Sequence, residues 1–148
     1  MVLKYIEKDI FTLNDSEYHF VHCVAADIGW DAKSGTQGIA KVFNEKYMIK
    51  DLINMFGITP IVGEAIKTDC VFNLITKARY FYKPTYDSMK RSLYGLKDLL
   101  RTNNIDRIAM PYIGTGLDKL EWKIVEGIIK EVFEDTPFLE ILVCKKPQ

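Results

Sequence analysis

Two short glycine-bearing stretches hold the residue types that bind anions. Ser34-Gly35-Thr36-Gln37-Gly38 stands just before a segment with helical spacing, and Gly114-Thr115-Gly116 stands between a short apolar run and a second helical segment. A helix start exposes backbone N–H groups and the positive end of the helix dipole. Glycine lets a phosphate come close to that backbone. Two such turns could clamp the two phosphates of a diphosphate, in the crevice where α/β sheets bind ligands at the C-terminal ends of their strands. Either turn alone reads first as plain turn geometry; the pair is what points further. Neither stretch fits G-x-x-x-x-G-K-[ST] or G-x-G-x-x-G, so a nucleotide-hydrolysing P-loop and a dinucleotide fingerprint are unsupported.

Other chemistry-bearing side chains are few. His19 and His22 are the only imidazoles and share one apolar stretch. They supply a zinc site poorly, and no metal is expected. Cys23, Cys70 and Cys144 are odd in number, widely spaced and flanked by apolar residues, which reads as buried thiols in a reducing compartment rather than a disulfide frame.

The elements that must position these residues follow from hydrophobic period. Residues 3–7 and 18–25 read as strands, the second rich in aromatic and β-branched side chains. Residues 38–47 read as a helix with Ile39, Val42, Phe43 and Lys46 on one face, and residues 49–56 as a shorter one. Residues 61–66 and 70–76 form two strands joined by a turn at Lys67-Thr68-Asp69. A long helix over 85–102 carries the stripe Met89, Leu93, Leu96 and Leu100 and stops at Asn103-Asn104. A buried strand over 107–111 leads through the glycine loop 113–118 to a helix over 119–134, with Val125, Ile128, Ile129 and Val132 on one face. Residues 138–144 make the last strand. The alternation predicts an α/β fold, a mostly parallel sheet of about six strands covered by helices on both faces.

The chain has 148 residues, 48% hydrophobic and 27% charged, which fits one ordinary globular domain spanning 1–148. Twenty basic residues balance 20 acidic ones, which excludes a strongly basic polyanion binder but not the binding of one small anion. No apolar run reaches the ~18 residues of a membrane span. Charges at Lys4, Glu7, Lys8 and Asp9 interrupt the stretch a signal peptide would need. A cytoplasmic protein without membrane partners is expected, and nothing demands more than a monomer.

Met110-Pro111-Tyr112-Ile113-Gly114-Thr115-Gly116-Leu117-Asp118-Lys119-Leu120-Glu121-Trp122 resembles the "MPxIGxGLDxLxW" segment of macrodomains, in the terminal ADP-ribose protein glycohydrolase branch. Leu74-Ile75-Thr76-Lys77 followed by Lys83-Pro84-Thr85-Tyr86 is similar to that branch's "LITK…KPTY", Tyr5-Ile6-Glu7-Lys8-Asp9-Ile10-Phe11 to its "YVKGDLF", and His22-Cys23 and Gly38-Ile39-Ala40 to its second strand and first helix. The matches run in order through nearly the whole chain.

The resemblance implies a three-layer α/β/α macrodomain with a mixed, mostly parallel sheet, ADP-ribose as ligand and no cofactor. The branch removes ADP-ribose from acidic side chains. Its lysine attacks the anomeric carbon of the opened distal ribose to give a lysyl–ADP-ribose intermediate, and its aspartate moves the proton and helps resolve the adduct. These two residues fall on Lys77 and Asp118. Asp9 and Ile10 would lie by the adenine. Gly35, Thr36, Gly38, Ile39 and Ala40, with Thr76 and the loop Ile113, Gly114, Thr115, Gly116 and Leu117, would hold the diphosphate and distal ribose.

Each assignment has a plainer counterpart. Lys77 reads by itself as a solvated lysine at a strand end. Asp118 fits a helix N-cap with Glu121 as its capping-box partner. Trp122 reads as packing, and Trp30 as a residue that could cover a ligand. The chain also departs from the branch: Ala25 and Ala26 replace a serine and a glutamate, residues 28–36 make a longer loop, and Tyr112 and Cys144 stand where relatives carry an arginine and an aromatic. Partner readings stay open between ADP-ribosylated protein, ADP-ribosylated nucleic acid, a free metabolite such as O-acetyl-ADP-ribose, and binding without cleavage. The second would use a basic surface at Lys77, Arg79, Lys83, Lys90 and Arg91.

Overall fold

The computed structural model describes residues 1–28 and 38–148, and its strands divide consecutive side chains between two apolar layers. The strands are β1 (Val2–Glu7), β2 (His19–Ala25), β3 (Ala65–Thr68), β4 (Val71–Lys77), β5 (Arg107–Met110) and β6 (Glu140–Lys145). The helices are α1 (Ile39–Tyr47), α2 (Ile49–Met55), α3 (Tyr86–Thr102) and α4 (Trp122–Val132). The sheet runs in the order β1-β6-β5-β2-β4-β3. Among the described residues only the β3–β4 hairpin is antiparallel.

Strand alternation sends neighbouring side chains to opposite faces. Val21, Phe72 and Leu74 pack with Met89, Leu93 and Leu96 of α3 and Val125 and Ile129 of α4. Their neighbours Phe20, Val71 and Ile75 pack with Phe43 of α1 and Ile49 and Ile53 of α2. Two such layers make β4 almost wholly buried, so it reads as an apolar run rather than an alternating one.

Several boundaries differ from expectation. The hairpin turns at Asp69-Cys70, with Asp69 at φ 54, and β3 begins only at Ala65 because Gly63, at φ 91, bends the preceding chain out of regular strand. Phe138 lies outside β6, which starts at Glu140. On α1 the buried residues are Ala40 and Phe43, whereas Ile39 and Val42 are exposed. Those two side chains form the wall of a cleft instead of core.

His22 is wholly buried, with its ring 4.4 Å from that of Phe43. Its Nε2 lies 2.6 Å from Asn73 Oδ1, and Asn73 Nδ2 donates to Ile66 O and Thr68 Oγ1. With both amide protons used, Asn73 offers only its oxygen, so Nε2 carries the proton and donates. Burial pushes the imidazole down to about 4. His22 is therefore a neutral structural residue at physiological pH.

The connections after β2 and β5 determine where the cleft lies. These adjacent parallel strands lead to α1 on one face and α4 on the other. Such a divergence opens a crevice at the C-terminal strand ends.

Candidate active site

Lys77 is the last residue of β4. Its ladder with β2 runs in register from Phe20 opposite Val71 to Val24 opposite Ile75, then slips so that Ala25 faces Lys77. The bulge skips Thr76, and Ala26 N–H closes the pairing onto Lys77 O at 2.8 Å. Bulges of this kind re-aim a side chain at a strand end. Asp118 arrives from the other side, at the end of the loop that follows β5. Lys77 Nζ and Asp118 Oδ1 are 2.6 Å apart, with side chains only 12% and 15% exposed. Both line a cavity of about 320 Å³ together with Gly38, Tyr80, Tyr112 and Gly116.

The loop after β5 is shaped by its glycines. Gly114 has φ 76, and a Cβ there would lie 2.8 Å from Met89 Cε and 3.0 Å from Leu120 Cδ1. At Gly116 a Cβ would meet no atom within 4 Å, so the space beside it stays open. Leu120 N–H donates to Gly114 O at 2.7 Å and Thr115 Oγ1 to Tyr112 O at 2.7 Å, closing the loop on itself. The amides of Gly116, Leu117 and Asp118 donate to no acceptor among the described residues. They are available to an anion.

The expected capping role of Asp118 does not hold. Lys119 sits at φ 59 and reverses the chain. The helix starts at Trp122, its N-cap is Glu121, and that residue makes no side-chain capping bond. The Asp118 carboxylate is turned to Lys77 instead. An anion at this loop would therefore meet loop amides rather than a helix start. Gly38 does stand at a helix start: it precedes α1 at φ 57, and a Cβ there would lie 3.2 Å from Leu117 Cδ1.

The Lys83–Tyr86 segment fixes this geometry. Thr85 caps α3 in a reciprocal box with Ser88, and Ser88 Oγ donates to Thr76 O at 2.6 Å, one residue before Lys77. Lys83 Nζ donates to Leu117 O at 2.5 Å, one residue before Asp118. Tyr86 Oη accepts Glu121 N–H at 3.0 Å. One helix start thus grips the approaches to both members of the ion pair.

A second compartment, about 470 Å³, adjoins the first and shares Gly38, Ile39 and Pro111 with it. Asp9, Ile10, Val42 and Cys144 help to line it. Asp9 Oδ1 accepts Phe11 N–H at 3.0 Å and caps a 3-10 turn, Ile10–Thr12, which fixes the carboxylate in place. Burial raises the Cys144 thiol to about 11 and pushes the Cys23 thiol, beside Asp118 and Lys77, well above its ordinary range. Neither is a nucleophile at neutral pH.

Lys77, Asp118, Gly38, Ile39, Ala40 and the residues from Ile113 to Leu117 line the first compartment, while Asp9 and Ile10 line the second. Thr76 lines neither: its side chain is buried and its Oγ1 has no partner among the described residues. Gly35, Thr36 and Trp30 lie outside the described residues. Trp122 packs against Tyr5 and Tyr112. Reading the sequence missed Tyr80, Cys23 and Val24 in the first compartment and Val42 and Lys46 in the second. The aromatic run that begins three residues after Lys77 was the available signal for Tyr80.

The basic residues near Lys77 are occupied. Besides Lys77 and Lys83, Lys90 pairs with Glu131 at 2.9 Å and Arg91 with Asp87 at 3.0 Å.

A scan against protein-family models found no match. The chain is 35% identical over 137 residues to the ADP-ribose glycohydrolase OARD1 of Bos taurus, and 34% identical to that of Homo sapiens, covering 90% of this chain and 86% of each relative. Among solved structures it is similar to the macrodomain of Mycobacterium tuberculosis DarG, with TM-score 0.79, 19% identity and 99% of both chains covered. It is also similar to Thermosipho africanus DarTG in complex with ADP-ribose, with TM-score 0.71 and 16% identity over 97% of this chain and 41% of that one.

Proposed function

The chain belongs to the macrodomain family of ADP-ribose glycohydrolases, and from that membership we propose that it cleaves ADP-ribose from modified acidic side chains through a covalent adduct on Lys77. It is an ADP-ribose-binding hydrolase. The finer claim concerns the substrate ester and the lysyl intermediate. The observation that carries it is the 2.6 Å contact between Lys77 Nζ and Asp118 Oδ1 inside the cleft.

The two compartments match the ligand's two ends. The adenosine enters the Asp9–Ile10 side, and the diphosphate crosses the shared wall at Gly38 and Ile39. The loop amides at Gly116 and Leu117 meet its oxygens, which holds two negative charges without spare cations. The distal ribose then lies beside Lys77.

An ammonium has no lone pair, so the amine must lose a proton before it attacks. Asp118 Oδ1 already accepts the hydrogen bond along which that proton moves. The neutral amine forms a bond to the anomeric carbon, and the acidic side chain leaves as a carboxylate with the bonding pair. Water then adds to the same carbon, the C–N bond breaks, the Asp118 proton returns to the lysine, and the proton shed by the water leaves to solvent. The products are ADP-ribose and the free carboxylate. Three free cysteines fit action in the reducing cytoplasm.

The Lys77→Ala variant tests this. Its turnover of an ADP-ribosylated glutamate peptide should fall to background while ADP-ribose affinity, by calorimetry, stays within about threefold, since binding rests on backbone amides. Normal turnover in that variant would overturn the mechanism.

A further inference from the structure

Three consecutive aromatic residues follow β4 at the reactive end of the cleft. Tyr80 lines the compartment of Lys77 and Asp118. Phe81 is 63% exposed and Tyr82 49%. The rings pack edge to face, with centroids 5.2 Å apart for Tyr80–Phe81 and 4.9 Å for Phe81–Tyr82. Leu117, 58% exposed, lines the same compartment, and its carbonyl is tied to this segment through Lys83. The row has a fixed backbone: Tyr80 N–H donates to the buried Asp27 Oδ2 at 3.2 Å and Tyr82 N–H to Arg79 O at 3.0 Å.

A contiguous, rigidly held apolar patch at a cleft mouth marks an interaction site. Rigid aromatic rings give contact area at little entropic cost. The direction of the cleft says what passes over it. The adenosine end lies at Asp9, so the group attached to the distal ribose must leave past Lys77 and then past Tyr80. This step rests on the reading of the chain as a hydrolase of ADP-ribosyl esters.

We propose that Phe81 and Tyr82, with Leu117, form a docking surface for the substrate's carrier, and that it takes an apolar side chain of a polypeptide flanking the modified acidic residue. Charge decides for polypeptide over nucleic acid. A strand of phosphates needs unpaired cations along its path. Here Lys77, Lys83, Lys90 and Arg91 are all engaged within the protein, and Arg79 is engaged as well; the exposed Lys119 beside Asp118 offers one charge rather than a path of them.

The test compares wild type with a Phe81→Ser/Tyr82→Ser double variant. Both positions are exposed, so the fold should tolerate the change. Four substrates are used: an ADP-ribosylated glutamate peptide with leucine beside the glutamate, the same peptide with serine there, the ADP-ribosyl ester of free glutamate as an ester without a polypeptide, and an ADP-ribosylated single-stranded oligonucleotide. Wild type should prefer the leucine peptide about tenfold in kcat/KM, mostly through KM. The double variant should lose that preference and keep wild-type kinetics on the ester of free glutamate. Equal KM for the two peptides in wild type would overturn the proposal, as would a defect confined to the oligonucleotide. Binding of both peptides to Lys77→Ala reads the surface without turnover. A retained leucine preference in binding with no hydrolysis of any substrate by wild type would contradict the hydrolase mechanism while sparing the surface; equal binding would sink the surface alone.

Discussion

At the residue scale the account rests on one shared proton. Asp118 is placed to accept a hydrogen bond from Lys77, and both side chains are largely withdrawn from water. A carboxylate that only balanced charge would tolerate replacement by an amide. One that receives the proton would not. Asp118→Asn keeps the shape and an oxygen acceptor but removes the base, so kcat should fall by about 10²–10⁴-fold with ADP-ribose affinity little changed. Steady-state kinetics beside calorimetry separates these outcomes, and an unchanged kcat would leave Asp118 as a structural partner only.

At the element scale the start of α3 determines how the pair meets. Lys83 holds Leu117 O, Ser88 holds Thr76 O, and Tyr86 holds the Glu121 amide. Lys83→Ala releases the Asp118 side of this grip without touching the reacting atoms. Loss of one charge-assisted hydrogen bond is worth about 1.5 kcal/mol, roughly tenfold. That loss should appear in kcat more than in KM, and Lys83→Arg should restore part of it. A KM effect alone would argue against positioning. Here the limits of sequence reading are also plain. The stripe Met89, Leu93, Leu96 and Leu100 marks α3 because a 3.6-residue period can mean little else, and all four are buried. The order of strands and helices and the Lys77–Asp118 pairing were legible as well, the last through a resemblance rather than spacing, whereas most of the first glycine loop, residues 34–37, lies outside the described residues. Two features were not. Ile39 and Val42 have the spacing of a core face, but an apolar cleft wall carries the same signature. Asp118 fits a cap motif, and only the positive φ of Lys119, a property no side-chain pattern reports, sends the chain elsewhere.

At the scale of the whole molecule, zero net charge and a doubly covered sheet have separate consequences. The charge balance fits a small diphosphate held by backbone amides at the C-terminal strand ends, and it gives no long-range pull on a nucleic acid. The covered sheet buries His22 between layers, which makes stability depend on pH. Its folded value lies near 4, against 6.5 for the ordinary imidazole. Between these values the unfolded chain binds the proton and the folded one does not, so stability is lost as pH falls from about 6.5 to 4. The loss is roughly 3 kcal/mol at 1.36 kcal/mol per unit. Urea unfolding across that range should show it, and His22→Gln should flatten the curve. An equal slope in the variant would assign the effect to the carboxylates.

The covalent adduct is the central claim, and peptide-mapped mass of the wild-type protein, acid-quenched during turnover of an ADP-ribosylated glutamate peptide, tests it most directly. The account predicts a gain of one ADP-ribosyl group located on Lys77, absent from Lys77→Ala treated in the same way. Hydrolysis that proceeds in Lys77→Ala, with no adduct on Lys77 in wild type, would contradict it.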